Sequence, residues 1–136
     1  MKAFIFIAVV MLFLISCKKK NEPVPLSSGL FGSWEVRRVY NGNILPADSI
    51  YKPGNGNILQ LNADSTYVRY IQHKFSSKGV FHTRINLMSA LAMPNERLYF
   101  DNDTSFNYLV MLNGDLMTLK PLFPDIPTTD YQKIQN

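Results

Sequence analysis

Few residues of this chain could do chemistry, and their spacing narrows the choice further. There is one cysteine, Cys17, and there are two histidines, His73 and His82. The strand registers derived below point His73 inward and His82 outward, so they cannot share a metal. No other His, Cys or paired-carboxylate grouping has metal-ligand spacing. Asp64, Asp101, Asp103 and Asp115 fall in sequence that reads as turns, where turn formation accounts for them. No Ser or Thr has a base that can be placed beside it, so the expectation is a non-enzyme with no catalytic residues, no metal and no cofactor. What remains is the Cys17 thiol and a polar pair, Arg69 and His73, inside an otherwise apolar stripe.

Cys17 closes an apolar leader. Lys2 precedes an unbroken apolar run from Ala3 to Ile15, and roughly 13 residues are too few to cross a ~30 Å hydrocarbon core as a helix. The run reads instead as the hydrophobic region of a signal peptide. Its end, Leu14-Ile15-Ser16-Cys17, resembles the lipobox of bacterial lipoproteins. The resemblance implies cleavage after Ser16, a diacylglycerol thioether on Cys17 and usually an acylated amine, with palmitate among the incorporated chains. More than one chain, at ~0.8 kcal/mol per buried CH₂, makes anchoring stable. No second Cys exists to form a disulfide, so stability must come from the core.

Residues 1–16 are thus expected to be leader, 17–28 a lipidated and Pro-interrupted tether, and 29–136 one domain of ordinary size. The 14 basic and 10 acidic side chains give a net charge of +4, and the run Lys18-Lys19-Lys20 carries most of the excess. Basicity confined to a tether excludes nucleic-acid binding as the function. The lysines can touch anionic headgroups. No acidic run follows Cys17, which favours a bacterial envelope location on the outer membrane with the domain in the periplasm.

The elements that must position Arg69 and His73 are strands, because short β-branched and aromatic runs alternate with turn residues and no long 3.6-residue period occurs. Eight strands are expected near 31–40, 57–62, 66–75, 79–87, 97–100, 106–112, 115–120 and 129–134. Asn113-Gly114 reads as a type I′ turn pairing Leu112 with Asp115. Ser77-Lys78-Gly79 reads as a three-residue loop pairing Ser76 with Val80, and Ala63-Asp64-Ser65 places Leu61 by Tyr67 and Leu59 by Arg69. Trp34, Val36, Tyr67, Arg69, Ile71, His73, Phe75 and Phe81 then share the inward face. Eight such strands can close into an antiparallel up-and-down barrel with room for side chains or one small ligand.

Gly32-Ser33-Trp34 at the head of the first strand resembles the G-x-W motif of lipocalins. The stretches 59–67 and 108–119 resemble anchored lipocalin-like proteins of Gram-negative envelopes. The likeness spans residues 26 to 136. It implies that a basic residue of the last strand, here Lys133, lies over Trp34 at the closed end of the barrel.

Two function classes follow. In the first, the lumen binds a small apolar or anionic amphiphilic ligand, with Trp34, Arg38, Tyr67, Arg69, Ile71, His73, Phe75, Phe81 and Tyr108 as candidate contacts. An unpaired charge in a barrel is costly, so Arg69 and His73 are expected to hold the ligand's head group; the alternative is that Arg69 snorkels to the mouth and His73 is hydrogen-bonded within the core. In the second class, Tyr99, Leu109, Met111 and Leu116 form an outward apolar patch for a protein partner or a second copy, unless the 87–93 connector covers it.

Overall fold

A strand that buries one face needs partners along both edges, and this chain supplies them by closing on itself. The computed structural model of the protein describes residues 27–41, 49–86 and 95–135; the leader, Cys17, most of the tether and the 87–93 connector lie outside them. A single helical turn, α1 (Ser27–Leu30), precedes β1 (Gly32–Tyr40), β2 (Ser49–Ile50), β3 (Ile58–Leu61), β4 (Thr66–Ile71), β5 (Lys74–Asn86), β6 (Asn95–Phe100), β7 (Asn107–Asn113), β8 (Leu116–Pro121) and β9 (Thr128–Ile134). Sequential strands pair antiparallel, and β9 returns to β1 from Ser33↔Ile134 to Tyr40↔Thr128. The expected eight-stranded up-and-down barrel is therefore what the chain forms, from β1 and β3–β9. Strand β2 is a two-residue flap on the second half of β1. Closure pairs the last strand of the barrel with the first.

The core fills one end of this barrel. Trp34, Leu30 and Met117 are fully buried there with Leu61 and Leu98. Trp34 Nε1 donates to the Leu30 carbonyl at 2.7 Å, so α1 caps that end. Lys133 Nζ lies 5.0 Å from the centre of the Trp34 ring, as the G-x-W resemblance implies. Gly32, with φ +130°, leaves space for this arrangement, since a Cβ there would stand 2.8 Å from the Lys133 side chain.

Three registers differ from the sequence reading. The β7–β8 turn has Gly114 and Asp115 at its centre and pairs Asn113 with Leu116. Positive φ occurs at Gly114 alone, the pattern of a II′ turn rather than I′. Every pair moves by two residues, so Val110 faces Leu119 but the inward set survives. The β4–β5 turn is at Gln72-His73, not Ser77-Lys78-Gly79, and both residues have positive φ. Gly79 instead lies within β5 opposite Tyr67, where a Cβ would come within 1.8 Å of an Asp101 carboxylate oxygen. The Ala63–Ser65 connection keeps Leu61 by Tyr67 and Leu59 by Arg69, as expected.

The third difference is a bulge at Arg37 in β1, where pairing passes from Val36↔Tyr131 to Arg38↔Asp130. The segment between β2 and β3 supports it: Tyr51 N–H donates to the Arg37 carbonyl and the Asn55 amide to the Val36 carbonyl. That segment is pinned by Glu35, a buried carboxylate that accepts from Gly54 N, Gly56 N and Arg37 Nη1. Burial pushes the Glu35 carboxyl up, but Arg37 and the two glycine N–H groups outweigh it and hold it below its ordinary 4.5.

Glu35→Gln is accordingly expected to cost about 1.5–3 kcal/mol at neutral pH, the range for hydrogen bonds to a charged group. A depressed folded value means that this stability is present above the unfolded value and lost as pH falls through the folded one. Urea melts across the acid limb should show a flatter decline for the variant than for the wild type. Superimposable curves would remove Glu35 from this role.

Candidate functional site

Above the core, the barrel holds a cavity of about 350 Å³, within the usual range of small-molecule sites. Alternation along β1, β3, β8 and β9 turns Val36, Leu59, Leu119, Thr129 and Tyr131 into it, and Ile126 and Pro127 of the β8–β9 loop cover one side. It reaches solvent beside Ile71, which is more than half exposed.

Arg69 of β4 is the cationic group on this wall. Its guanidinium carbon lies 4.4 Å from the centre of the Phe100 ring and 5.2 Å from that of Tyr67. Among the described residues, no carboxylate forms an ion pair with it. Tyr108 and Tyr131 share the cavity. Burial pushes the Tyr131 phenol up to about 12, with Arg69 opposing and Tyr108 reinforcing the shift. Tyr108 is likewise raised by burial against the pull of Arg69. Both hydroxyls therefore stay protonated at neutral pH and can donate to an anion.

Arg69 and Tyr108 also line a second lobe of about 320 Å³, with Tyr67, Phe100, Asp101, Asp103 and Phe106. Tyr67 donates its hydroxyl to Asp101 at 2.6 Å. Burial and that bond raise the Tyr67 phenol above its ordinary value.

No family model matches this chain, and no curated protein or solved structure is significantly similar to it. The barrel and its cavity must therefore speak through their own geometry.

The candidate contacts separate into groups. Arg69, Ile71 and Tyr108 line the 350 Å³ cavity, and Tyr67 lines the second lobe. Trp34 and Phe81 are inward but belong to the packed core below. Three expected contacts lie elsewhere. Arg38 is exposed and pairs with Asp130, because the bulge at Arg37 reverses the faces of β1 beyond it. It sits over the Tyr40 ring in a separate groove with Ile50 and Leu116. His73 occupies the β4–β5 turn, exposed, with its ring Nε2 3.2 Å from the Gly54 carbonyl. Phe75 pairs with the outward Tyr70, since the register shifts between Arg69 and Tyr70, and is 61% exposed.

The outward patch is smaller than expected. Tyr99 does point away from Leu98 and Phe100, but it is buried, stacked on His82 at 4.9 Å with Arg84 at 5.5 Å. Leu109 is half-buried, while Met111 and Leu116 are exposed. Cys17 lies outside the described residues.

Sequence reasoning missed Thr129, Tyr131, Phe100 and Phe106 as cavity residues. A signal existed for two of them: with Lys133 over Trp34, alternation along β9 puts Tyr131 and Thr129 on the same inward face. The structure also shows what no pattern announced, a buried Glu96 whose carboxylate oxygens find no hydrogen-bond partner among the described residues. Nor do any three His, Cys, Asp or Glu side chains gather to hold a metal among those residues.

Proposed function

We propose that this is a non-catalytic, lipid-anchored envelope protein whose lipocalin-like barrel holds a small amphiphile, tail against the apolar walls and anionic group against Arg69. The observation that carries the reading is Arg69 itself, a guanidinium on the wall of a 350 Å³ cavity, set against aromatic faces and, among the described residues, in ion-pair contact with no carboxylate. An anion there gains a charge-assisted hydrogen bond in a setting of lowered dielectric, with Tyr108 and Tyr131 as further donors. The Cys17 motif and the Gly32-Ser33-Trp34 motif, the latter with Lys133 over its ring, support the anchored, lipocalin-like part. Location on the outer membrane, facing the periplasm, follows from the tether.

Arg69→Met should weaken binding of a fluorescent fatty acid by about 1.5–3 kcal/mol, while stability changes little or rises because a confined charge is gone. Titration of both proteins beside urea melts reads this. Equal binding, micromolar or tighter, in both forms would refute the role of Arg69.

The second reading is a protein-interaction module. It draws on Leu116 and Ile50, both exposed and lining the groove that holds Arg38. Under it, neither form binds the fatty acid measurably, and Leu116→Thr weakens self-association or partner capture with the fold intact.

A further inference from the structure

The second lobe has a chemistry unlike the first. Its rings stand edge to face: Tyr67 to Phe100 at 4.8 Å and 73°, Phe100 to Tyr108 at 5.9 Å and 77°, and Phe106 to Tyr108 at 5.2 Å and 77°. Phe106 is backed by Phe123, stacked at 5.9 Å. Asp101 and Asp103 enter the same lobe from the β6–β7 connection. The Ser105 hydroxyl and N–H hold the Asp103 carboxyl below its ordinary value, so it is anionic at neutral pH.

Ring faces and carboxylates together attract a cation and repel an anion. Arg69 serves the rings of Tyr67 and Phe100. Among the described residues no cation lies over Phe106 or Tyr108, the two rings left beside the carboxylates. An alkyl tail placed here would gain less than in the first lobe, because it would strip water from two carboxylates. A group already bound to Arg69 stands at the border of both lobes, since Arg69 lines each of them.

We propose that this lobe receives the ammonium group of a zwitterionic amphiphile whose phosphate lies against Arg69 and whose tail occupies the first lobe. The inference rests on the binder reading above and adds a second charge to its ligand. Short alkyl probes below their micelle concentration test it on the full chain by calorimetric titration: octylphosphocholine, octyl phosphate and octyltrimethylammonium.

The wild type should bind octylphosphocholine about tenfold tighter than octyl phosphate, in keeping with one desolvated cation–aromatic contact. Phe106→Leu and, separately, the exposed Asp103→Asn should bring that ratio towards one. Equal wild-type affinities for the two phosphates would overturn the ammonium site and leave the Arg69 reading standing. A preference that survives both substitutions would overturn it as well. If the wild type binds neither phosphate, both readings fall. Binding of octyltrimethylammonium alone would keep a cation site but refute the zwitterion.

Discussion

Trp34→Ala is expected to lower stability by about 3–5 kcal/mol, the range for truncating a large buried aromatic. Trp34 has no exposed surface and sits at the centre of the filled end of the barrel. The substitution does more than leave a void. It removes the indole N–H that holds the Leu30 carbonyl, so α1 is left with its other tie, the bond from Lys133 Nζ to the Gly29 carbonyl, and it takes away the ring under Lys133. Trp34→Phe should cost less, because it keeps most of the apolar area and gives up the N–H donor. Trp34 is the chain's single tryptophan, so urea melts of all three proteins should be followed by circular dichroism. A loss under ~1 kcal/mol for the alanine variant would show that the closed end does not depend on this ring.

Cys17→Ser should abolish incorporation of labelled palmitate and leave the leader attached. A cysteine thiol is a competent nucleophile for a lipid donor through its thiolate, whereas a serine hydroxyl at the same place is not. Because no other cysteine is present, no second thiol can take its place. Each acyl chain contributes ~0.8 kcal/mol per buried CH₂, and one chain alone binds only marginally. Under the proposed lipoprotein reading, the full anchor hangs on this one sulfur. Metabolic labelling followed by intact mass measurement decides the matter, and label retained on the serine variant would end the lipoprotein reading.

Much of the barrel was legible because strand parity tolerates error. The β7–β8 turn is displaced from its expected centre, yet Tyr108, Val110, Met117 and Leu119 keep their inward face, since a shift of two residues preserves alternation. The pairing of Leu61 with Tyr67 and Leu59 with Arg69 was readable for a more local reason. Asp64 accepts from the Thr66 N–H and hydroxyl, so that turn is settled by residues within it.

The β4–β5 turn and the bulge at Arg37 depend instead on residues far away in the chain. Gln72 and His73 take positive φ without glycine, a conformation that costs energy unless neighbours compensate. Those neighbours are Asn57, whose side chain accepts from Gln72 N–H, and Gly56, whose carbonyl accepts from His73 N–H. The same 51–57 segment braces the bulge at Arg37 through Tyr51 and Asn55, and Glu35 pins it from β1. One loop thus moved His73, Phe75 and Arg38 out of the expected site.

By itself the sequence determined the all-β class, the eight-strand count and the inward position of Arg69, which follow from composition, period-two alternation and short-range turn chemistry acting between near neighbours. The Trp34–Lys133 closed end and the leader ending in Cys17 entered instead as what two family resemblances imply. The tertiary structure alone decided which inward residues bound a cavity and which fill the core, and how Arg69 comes to stand between two lobes of different chemistry. Those outcomes depend on bulges and loop contacts between segments remote in sequence, where a single inserted residue reverses a face.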